Sequence, residues 1–404
     1  MKEGWEDITL GDVCEIVSGK NQKLVQNPNG KYPIYGSGGI FGYADDYLCE
    51  PGTTIIGRKG TINSPIYVNE KFWNVDTAFG ISPKRFIDKK YNYYFCLGFN
   101  FKKLDKSTTI PSLAKRDLLK IKYPLAPLPE QRAIVQKLEV LFSDLDQGEA
   151  DLKKAQEQLQ VYRQAVLKKA FEGELTHSKM ERVKLGEITS ILGDGLHGTP
   201  NYDENGKYYF INGNNLNDGI IAIKSNTKKL NKLEYKKYRK ELNDSTVLVS
   251  INGTIGNTAF YNNEKVVLGK SACYFNVNEN IDKKYLRYNL KTSEFLNYVL
   301  TNATGSTIKN VGLKTMRNYL VPLPINRPEQ HLIVKEIESR LSVCDALEQT
   351  LAEGLQKAQA LRQSLLKKAF EGTLLSPQEL EACKAAPDWE PATVLLKRTK
   401  KEKT

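Results

Sequence analysis

Apolar and small residues recur in alternating steps of four and three from Ile134 through Leu138, Leu141, Leu145, Gly148, Leu152, Ala155, Leu159 and Tyr162 to Val166. This is the a/d seam of a heptad repeat. A second seam follows 199 residues later, through Ile333, Ile337, Arg340, Cys344, Leu347, Leu351, Gly354, Ala358, Leu361 and Leu365, with Arg340 as its one charged member. The pattern predicts two helical rods of roughly 42 residues, each about 63 Å long. Each seam is narrow enough to need a partner, and the obvious one is the other copy; the bland alternative is a long surface helix lying on its own globule. If the seams face each other antiparallel, facing numbers sum to about 499, which sets large residues against small ones. Leu145 then faces Gly354, Gly148 faces Leu351, and Arg340 lies against Leu159.

The ends of the rods repeat as well. Pro129-Glu130-Gln131 returns as Pro328-Glu329-Gln330, and LKKAFEG at 167–173 returns at 366–372. Proline suits a first helical turn, with Glu130 or Glu329 near the positive end of the macrodipole, and Gly173 and Gly372 suit the C-terminal stop. Weaker echoes lie between the rods: IDKKY at 87–91 and 281–285, GTI at 60–62 and 253–255, and TTIPSL at 108–113 answering STIKNV at 306–311. The chain reads as a duplication, globule then helix, twice over.

Within the globules, short strand candidates such as TTIIGR (53–58), TVLVSI (246–251) and ACYFNV (272–277) alternate with Gly/Asn-rich turns, which predicts mixed α/β (α+β) units. The expected division is a first globule at 1–125, helical regions at 126–176 and 322–376 around a second globule at 177–321, and a tail at 377–404 that fits neither repeat and is read as disordered or as a docking segment.

Charge sharpens this division. The net charge is +12. Residues 1–125 hold 18 basic and 13 acidic groups, and residues 177–321 hold 21 and 13, whereas the two helical regions are acidic or neutral. The excess belongs to the globules, as expected if they touch phosphate and the rods touch protein. No apolar run is long enough to span a bilayer, and Glu3, Glu6 and Asp7 interrupt the N-terminus where a signal peptide would be apolar, so a cytoplasmic location without membrane contact is expected. Six widely spaced cysteines without a CxxC, and only three histidines, give little support to a zinc site or a disulfide framework.

Candidate binding residues are those whose side chains grip phosphate or read groove edges. In the first globule they are Ser37 and Gly38, then Arg58, Lys59 and Thr61, then Thr108 and Thr109 followed by Lys115 and Arg116. In the second they are Asp194, His197 and Thr199, then Asn214 and Asn215, Asn252 and Thr254, Lys270, Lys309, Lys314 and Arg317. Each alone also reads as an ordinary turn or surface residue. Asp194 beside His197 leaves open a catalytic site, but no nucleophile or third ligand is spaced to join them. The glycines of YGSGGIFG (35–42) lack the Lys-Ser/Thr ending of a phosphate loop and follow no convincing strand, so no nucleotide site is expected.

The paired PEQ entries, the two LKKAFEG exits and the alternation of variable globule with conserved rod resemble the DNA-specificity subunit of type I restriction-modification systems, over about residues 1–376. The resemblance implies two target-recognition domains separated by two long antiparallel coiled-coil helices with a pseudo-twofold internal repeat. It implies a bipartite, asymmetric site in double-stranded DNA, one half per domain. It also implies docking to two modification methyltransferase subunits and to restriction/translocase subunits. No catalysis and no cofactor is then expected in this chain; S-adenosylmethionine, with ATP and magnesium for restriction, belongs to the partners. The sequence holds no Asn/Asp-Pro-Pro-Tyr/Phe segment such as an amino-methyltransferase uses. Two readings stay open beside it: a coiled-coil scaffold that does not bind DNA, and a specificity subunit serving a methyltransferase without a nuclease.

Overall fold

The computed structural model describes residues 2–401. The two heptad seams lie on helices Leu128–Phe171 and Arg327–Phe370, of 44 residues each. The chain divides into two compact units, one of residues 1–152 and 353–404, the other of residues 153–352, so each long helix contributes one half to each unit.

In the first unit a four-stranded antiparallel sheet has the order Cys14–Ser18, Ala78–Pro83, Thr53–Gly57, Ile66–Val68. Its inner strand Thr53–Gly57 is buried throughout. A three-stranded sheet sets Tyr32–Gly36 antiparallel to Gly39–Ala44 and parallel to Trp73–Asn74. Glu6–Thr9 pairs with Lys122–Leu125, the strand that enters the first long helix. The YGSGGIFG segment is therefore a hairpin: a strand does precede its glycines, and a second strand, not a helix, follows them.

The second unit repeats this plan with diverged sequence. The order Thr189–Asp194, Ala272–Val277, Thr246–Ser250, Thr258–Phe260 forms its four-stranded sheet. Tyr208–Ile211 runs antiparallel to Lys229–Leu230 and parallel to Val266–Leu268. Met180–Lys184 pairs with Leu320–Pro324 ahead of the second long helix. Duplication thus reaches through the globules, where the sequence shows only short echoes.

The repeated motifs are the joints between globule and rod. Gln131 accepts from the Asp88 amide (2.9 Å) and donates to the Ala126 carbonyl (2.8 Å). Gln330 accepts likewise from the Asp282 amide (2.8 Å). Asp88 and Asp282 are the aspartates of the two IDKKY motifs, and each caps the helix that follows, Lys89–Gly98 or Lys283–Asn289. The next-but-one lysine of each motif, Lys90 or Lys284, pairs with Glu139 or Glu338 of a long helix. The tyrosine, Tyr91 or Tyr285, donates to the Pro124 or Pro322 carbonyl (2.7 and 2.6 Å). Phe370 of one LKKAFEG packs on Tyr91, ring centres 5.1 Å apart, and Phe171 of the other packs on Tyr285 at 5.0 Å. The glutamates of PEQ diverge: Glu130 is buried and accepts from the Trp5 indole (2.8 Å), whereas Glu329 bonds Asn326. Gly173 and Gly372 end the helices at φ +82° and +74°, a conformation a side chain would strain.

Within each unit the helix segments run antiparallel, but not in the register that seam volumes alone suggest. A β-carbon on Gly354 would stand 3.2 Å from Leu152, not Leu145, a shift of one heptad. The flanking charges account for it. Arg362 reaches Asp146 (2.6 Å) and Glu149 (3.3 Å), and in the other unit Arg163 reaches Asp345 (2.6 Å) and Glu348 (2.8 Å), the same contact displaced by 199 residues. The observed register gives each arginine two carboxylates and leaves Glu139 and Glu338 to hold Lys90 and Lys284. Its consequence is open space at Gly148, where an added β-carbon meets nothing within 4 Å. Arg340 is exposed and pairs with Glu336 one turn back along its own helix.

Of the two expectations for the tail, the disordered one is overturned. Pro377–Lys384 and Ala392–Lys401 are helices of the first unit. Ser376 caps the first of them, Glu379 pairs with Lys137 (2.6 Å), and Ala392 donates to the Gly4 carbonyl (2.9 Å). Leu374, Leu375, Cys383 and Ala392 join the core around Trp5, Leu10 and Leu138, which is why the segment is held. Of the basic end, residues 402–404 lie outside the described residues.

Candidate nucleic-acid interface

In each globule the predicted segments come from distant parts of the chain and meet at one end of the four-stranded sheet. In the first, strand Thr53–Gly57 runs out into Arg58, Lys59, Gly60 and Thr61. A β-carbon at Gly57 would stand 3.1 Å from that of Ser37, which brings in the hairpin with exposed Gly38 at its turn. The hydroxyl segment is tied on by the Gly60 amide donating to the Pro111 carbonyl (2.9 Å) and the Leu113 amide donating to the Arg58 carbonyl (2.9 Å). Asp105 shapes that segment, accepting from the Ser107 hydroxyl (2.6 Å) and from the Ser107 and Ser112 amides (3.0 and 3.1 Å). These donors, the Ser107 hydroxyl foremost, hold its carboxyl below the usual range. Lys59, Thr61, Thr108 and Thr109 are left exposed around the junction. Arg58 is exposed and lies over the Phe79 ring, 5.6 Å from its centre.

The second globule makes the same junction with different side chains. Gly253 donates to the Lys309 carbonyl (3.2 Å) and Val311 to the Ile251 carbonyl (2.8 Å), matching the Gly60 and Leu113 bonds. Gly60 and Gly253 have φ of +78° and +73° with open space beside them, so the GTI echo marks a left-handed loop tip. Asn252 donates to the Asn310 side chain (3.0 Å), and the Thr254 carbonyl accepts from Ser250. The Asn212–Asn215 turn is fastened by Ser271, which receives from the Gly213 amide (2.8 Å) and donates to Asn212 (3.0 Å), placing exposed Lys270 and Asn214 beside it. Leu196 bonds the Leu268 carbonyl (2.7 Å), which brings Asp194, His197 and Thr199 to the same end.

Three predicted residues are used otherwise. Asn215 is buried, its side chain accepting from the Asn212 amide and donating to Ala222 and Thr227, so it shapes the turn from inside. Arg317 donates to the Leu192 carbonyl (3.0 Å) along the strand edge, and Arg116 turns to Asp117 (3.5 Å). Lys115 and Lys314 are exposed on their short helices, Lys115–Leu119 and Leu313–Asn318. His197 Nε2 and Asp194 Oδ2 are 2.6 Å apart at the surface, and among the described residues no group of three or more His, Cys, Asp or Glu could hold a metal. All six cysteines are free and buried; Cys273, near Asp194, has its thiol pushed well up by burial. Sequence reasoning missed Asp105, Asn310 and the basic run 224–240; a charge count over short windows finds the last.

What the junctions offer is a mixed surface of cations, hydroxyls and amides on loops held by backbone bonds. That combination suits phosphate oxygens and base edges together. Among the described residues no helix is long and apolar enough to cross a membrane.

The chain is similar to known proteins over nearly its whole length. The specificity subunit of the type I restriction enzyme EcoBI from Escherichia coli is 26% identical, over the whole of this chain and 93% of its own length. That of EcoDI, also from Escherichia coli, is 24% identical over 99% of this chain and 95% of its own. Among solved structures, a chain of a type I restriction-modification system described for its complex assembly and conformational transition superposes with a TM-score of 0.71 at 20% identity, covering 93% of this chain and 99% of that one. The HsdS subunit from Thermoanaerobacter tengcongensis gives 0.53 at 19% identity, covering 93% and 98%, which speaks to the fold alone. The type I restriction modification DNA specificity domain matches twice, at residues 2–155 and 177–357, and by that double match the chain belongs to the type I restriction-modification specificity family.

Proposed function

We propose that this chain is the DNA-reading subunit of a type I restriction-modification complex and that its two loop junctions each read one half of a bipartite, asymmetric site. The observation that carries this is the paired junction: Gly60 to Pro111 and Gly253 to Lys309 build the same loop framework while the exposed side chains around it differ. A shared frame with different side chains suits two unlike half-sites. Ser37, Gly38, Lys59, Thr61, Thr108 and Thr109 serve one half, and His197, Thr199, Asn214, Asn252, Thr254 and Lys270 the other. The long helices dock two adenine methyltransferase subunits and, through the assembly, the restriction subunits. S-adenosylmethionine, ATP and magnesium act in those partners, and this chain contributes no catalysis. The complex works in the cytoplasm. Sequencing the methylated adenines of a host carrying the chain with its partners tests the assignment. A bipartite methylated sequence that disappears without this chain supports it; methylation unchanged by its removal, or methyltransferase activity from the chain alone, overturns it.

A further inference from the structure

The connection from strand Tyr32–Gly36 to strand Thr53–Gly57, residues 37–52, contains no lysine or arginine and three acids. Its topological counterpart in the second unit, residues 212–245 between Tyr208–Ile211 and Thr246–Ser250, contains eight basic residues and four acids. All eight lie between Lys224 and Lys240, where Glu234 is the one acid.

The packing turns that run outward. Helix Lys232–Tyr238 is capped by Asn231, which accepts from the Leu233 and Glu234 amides (2.9 and 3.0 Å). Glu234 is buried and accepts from the Asn201 amide (2.9 Å). Tyr235 stacks on Tyr208 with ring centres 4.1 Å apart and planes 19° apart. With that face fixed inward, Lys228, Lys229, Lys232, Lys236, Lys237 and Arg239 are exposed, and among the described residues none has a carboxylate in ion-pairing range. A merely solvated face mixes both signs; this one concentrates like charges at helical neighbours such as Lys232 and Lys236, which repel. A polyanion removes that repulsion.

The element also borders the loop junction. Strand Tyr208–Ile211 pairs with Lys229–Leu230 and runs directly into the Asn212–Asn215 turn. Leu196, from the Asp194–Thr199 loop, packs on the same small core of Phe210, Leu230 and Val267 as Tyr235 and Tyr238 do, and Lys224 donates to the Asn214 carbonyl (2.9 Å).

We propose that residues 228–240 form a phosphate-gripping arm that holds duplex DNA irrespective of sequence, making the second globule the anchoring half. This rests on reading the junctions as the DNA interface. The test is binding of the full-length chain to a fixed duplex across salt concentrations, comparing wild type, the triple variant K232Q/K236Q/K237Q, and a control triple K153Q/K154Q/K357Q on the long helices. The arm predicts that the triple variant's log–log salt slope falls by roughly one per phosphate contact removed, about three in all, while the control keeps the wild-type slope. Affinity for target and for random duplex falls by the same factor. A wild-type slope retained by the triple variant overturns the arm but spares the DNA reading. Loss of methyltransferase binding without a change in DNA slope assigns the run to a protein partner and also overturns the arm. A flat response in the wild type overturns the DNA reading itself. Unchanged far-ultraviolet circular dichroism and melting of the triple variant separate these outcomes from misfolding.

Discussion

Leu152 lies over Gly354, its Cδ1 3.2 Å from where that glycine's β-carbon would stand, while Gly148, at the other glycine of the seams, faces open space. Two glycines at helix-weakening positions therefore differ in cause. Gly354→Leu is expected to overpack against Leu152 and cost about 1–3 kcal/mol, with Leu152→Ala recovering part of it in the double variant. Gly148→Ala is expected to stabilise by about 0.5–1 kcal/mol, since it gains helix propensity and meets no neighbour. Urea unfolding of the three variants measures both; a neutral Gly354→Leu would refute the close approach.

Gln131 and Gln330 each join a long helix to the capped start of an IDKKY helix. Replacing either by alanine leaves an amide without its acceptor, part-buried at Asp88 and buried at Asp282, for about 1–3 kcal/mol with the larger cost at Asp282. The effect should stay local. Hydrogen exchange is expected to quicken in residues 89–98 for Gln131→Ala and in 283–289 for Gln330→Ala, and acceleration in both helices from one substitution would contradict the separate joints.

How much of this was legible beforehand varied with the kind of information involved. The seams and the PEQ and LKKAFEG repeats were visible because a rod has one period and a joint uses few residues. Register does not follow from seam volumes alone, because Arg163 and Arg362 lie beside the seam and each pairs with two acids. In sequence the junctions are scattered segments, since Gly, Asn and Thr turns are recognisable locally, and only long-range bonds such as Gly60 to Pro111 reveal that they meet. Asn215 looked like its exposed neighbour Asn214 because burial of a turn side chain depends on what packs beneath it, here Ala222 and Thr227. The tail matches no repeat, so its apolar Leu380, Cys383, Ala392 and Leu396 carry no pattern that names their partner core.

Asp105 gives the first junction a pH dependence. Its carboxylate is favoured in the folded chain by the Ser107 hydroxyl and the Ser112 and Ser107 amides, so its folded pKa lies below its unfolded one. The stabilisation is fully present above the ordinary carboxylate range, about pH 4, and is lost as pH falls through the lowered value. Wild type and Asp105→Asn should therefore differ in melting temperature at neutral pH and converge in acid. A gap that persists unchanged to the acid limit would show that the charge of Asp105 does not hold the loop.

The two junctions share a backbone frame but are built within separate units, each around its own hydrophobic cluster, with Ile16, Phe79 and Ile81 in one and Val247, Val249 and Phe275 in the other. Side chains at one tip can therefore change without repacking the other. Replacing residues 1–125 with the matching globule of a relative is expected to alter one half of the methylated sequence and leave the other intact. Lys59→Ala with Thr61→Ala, and separately Asn252→Ala with Thr254→Ala, refine the same test. Direct base contacts each contribute about 1–3 kcal/mol of discrimination, so each pair should relax preference at positions of a single half-site. Methylome sequencing reads the outcome. A change spread over both halves from either pair would mean that the junctions act together, and loss of methylation at every site without any change of sequence would mean that these side chains hold phosphate and read nothing.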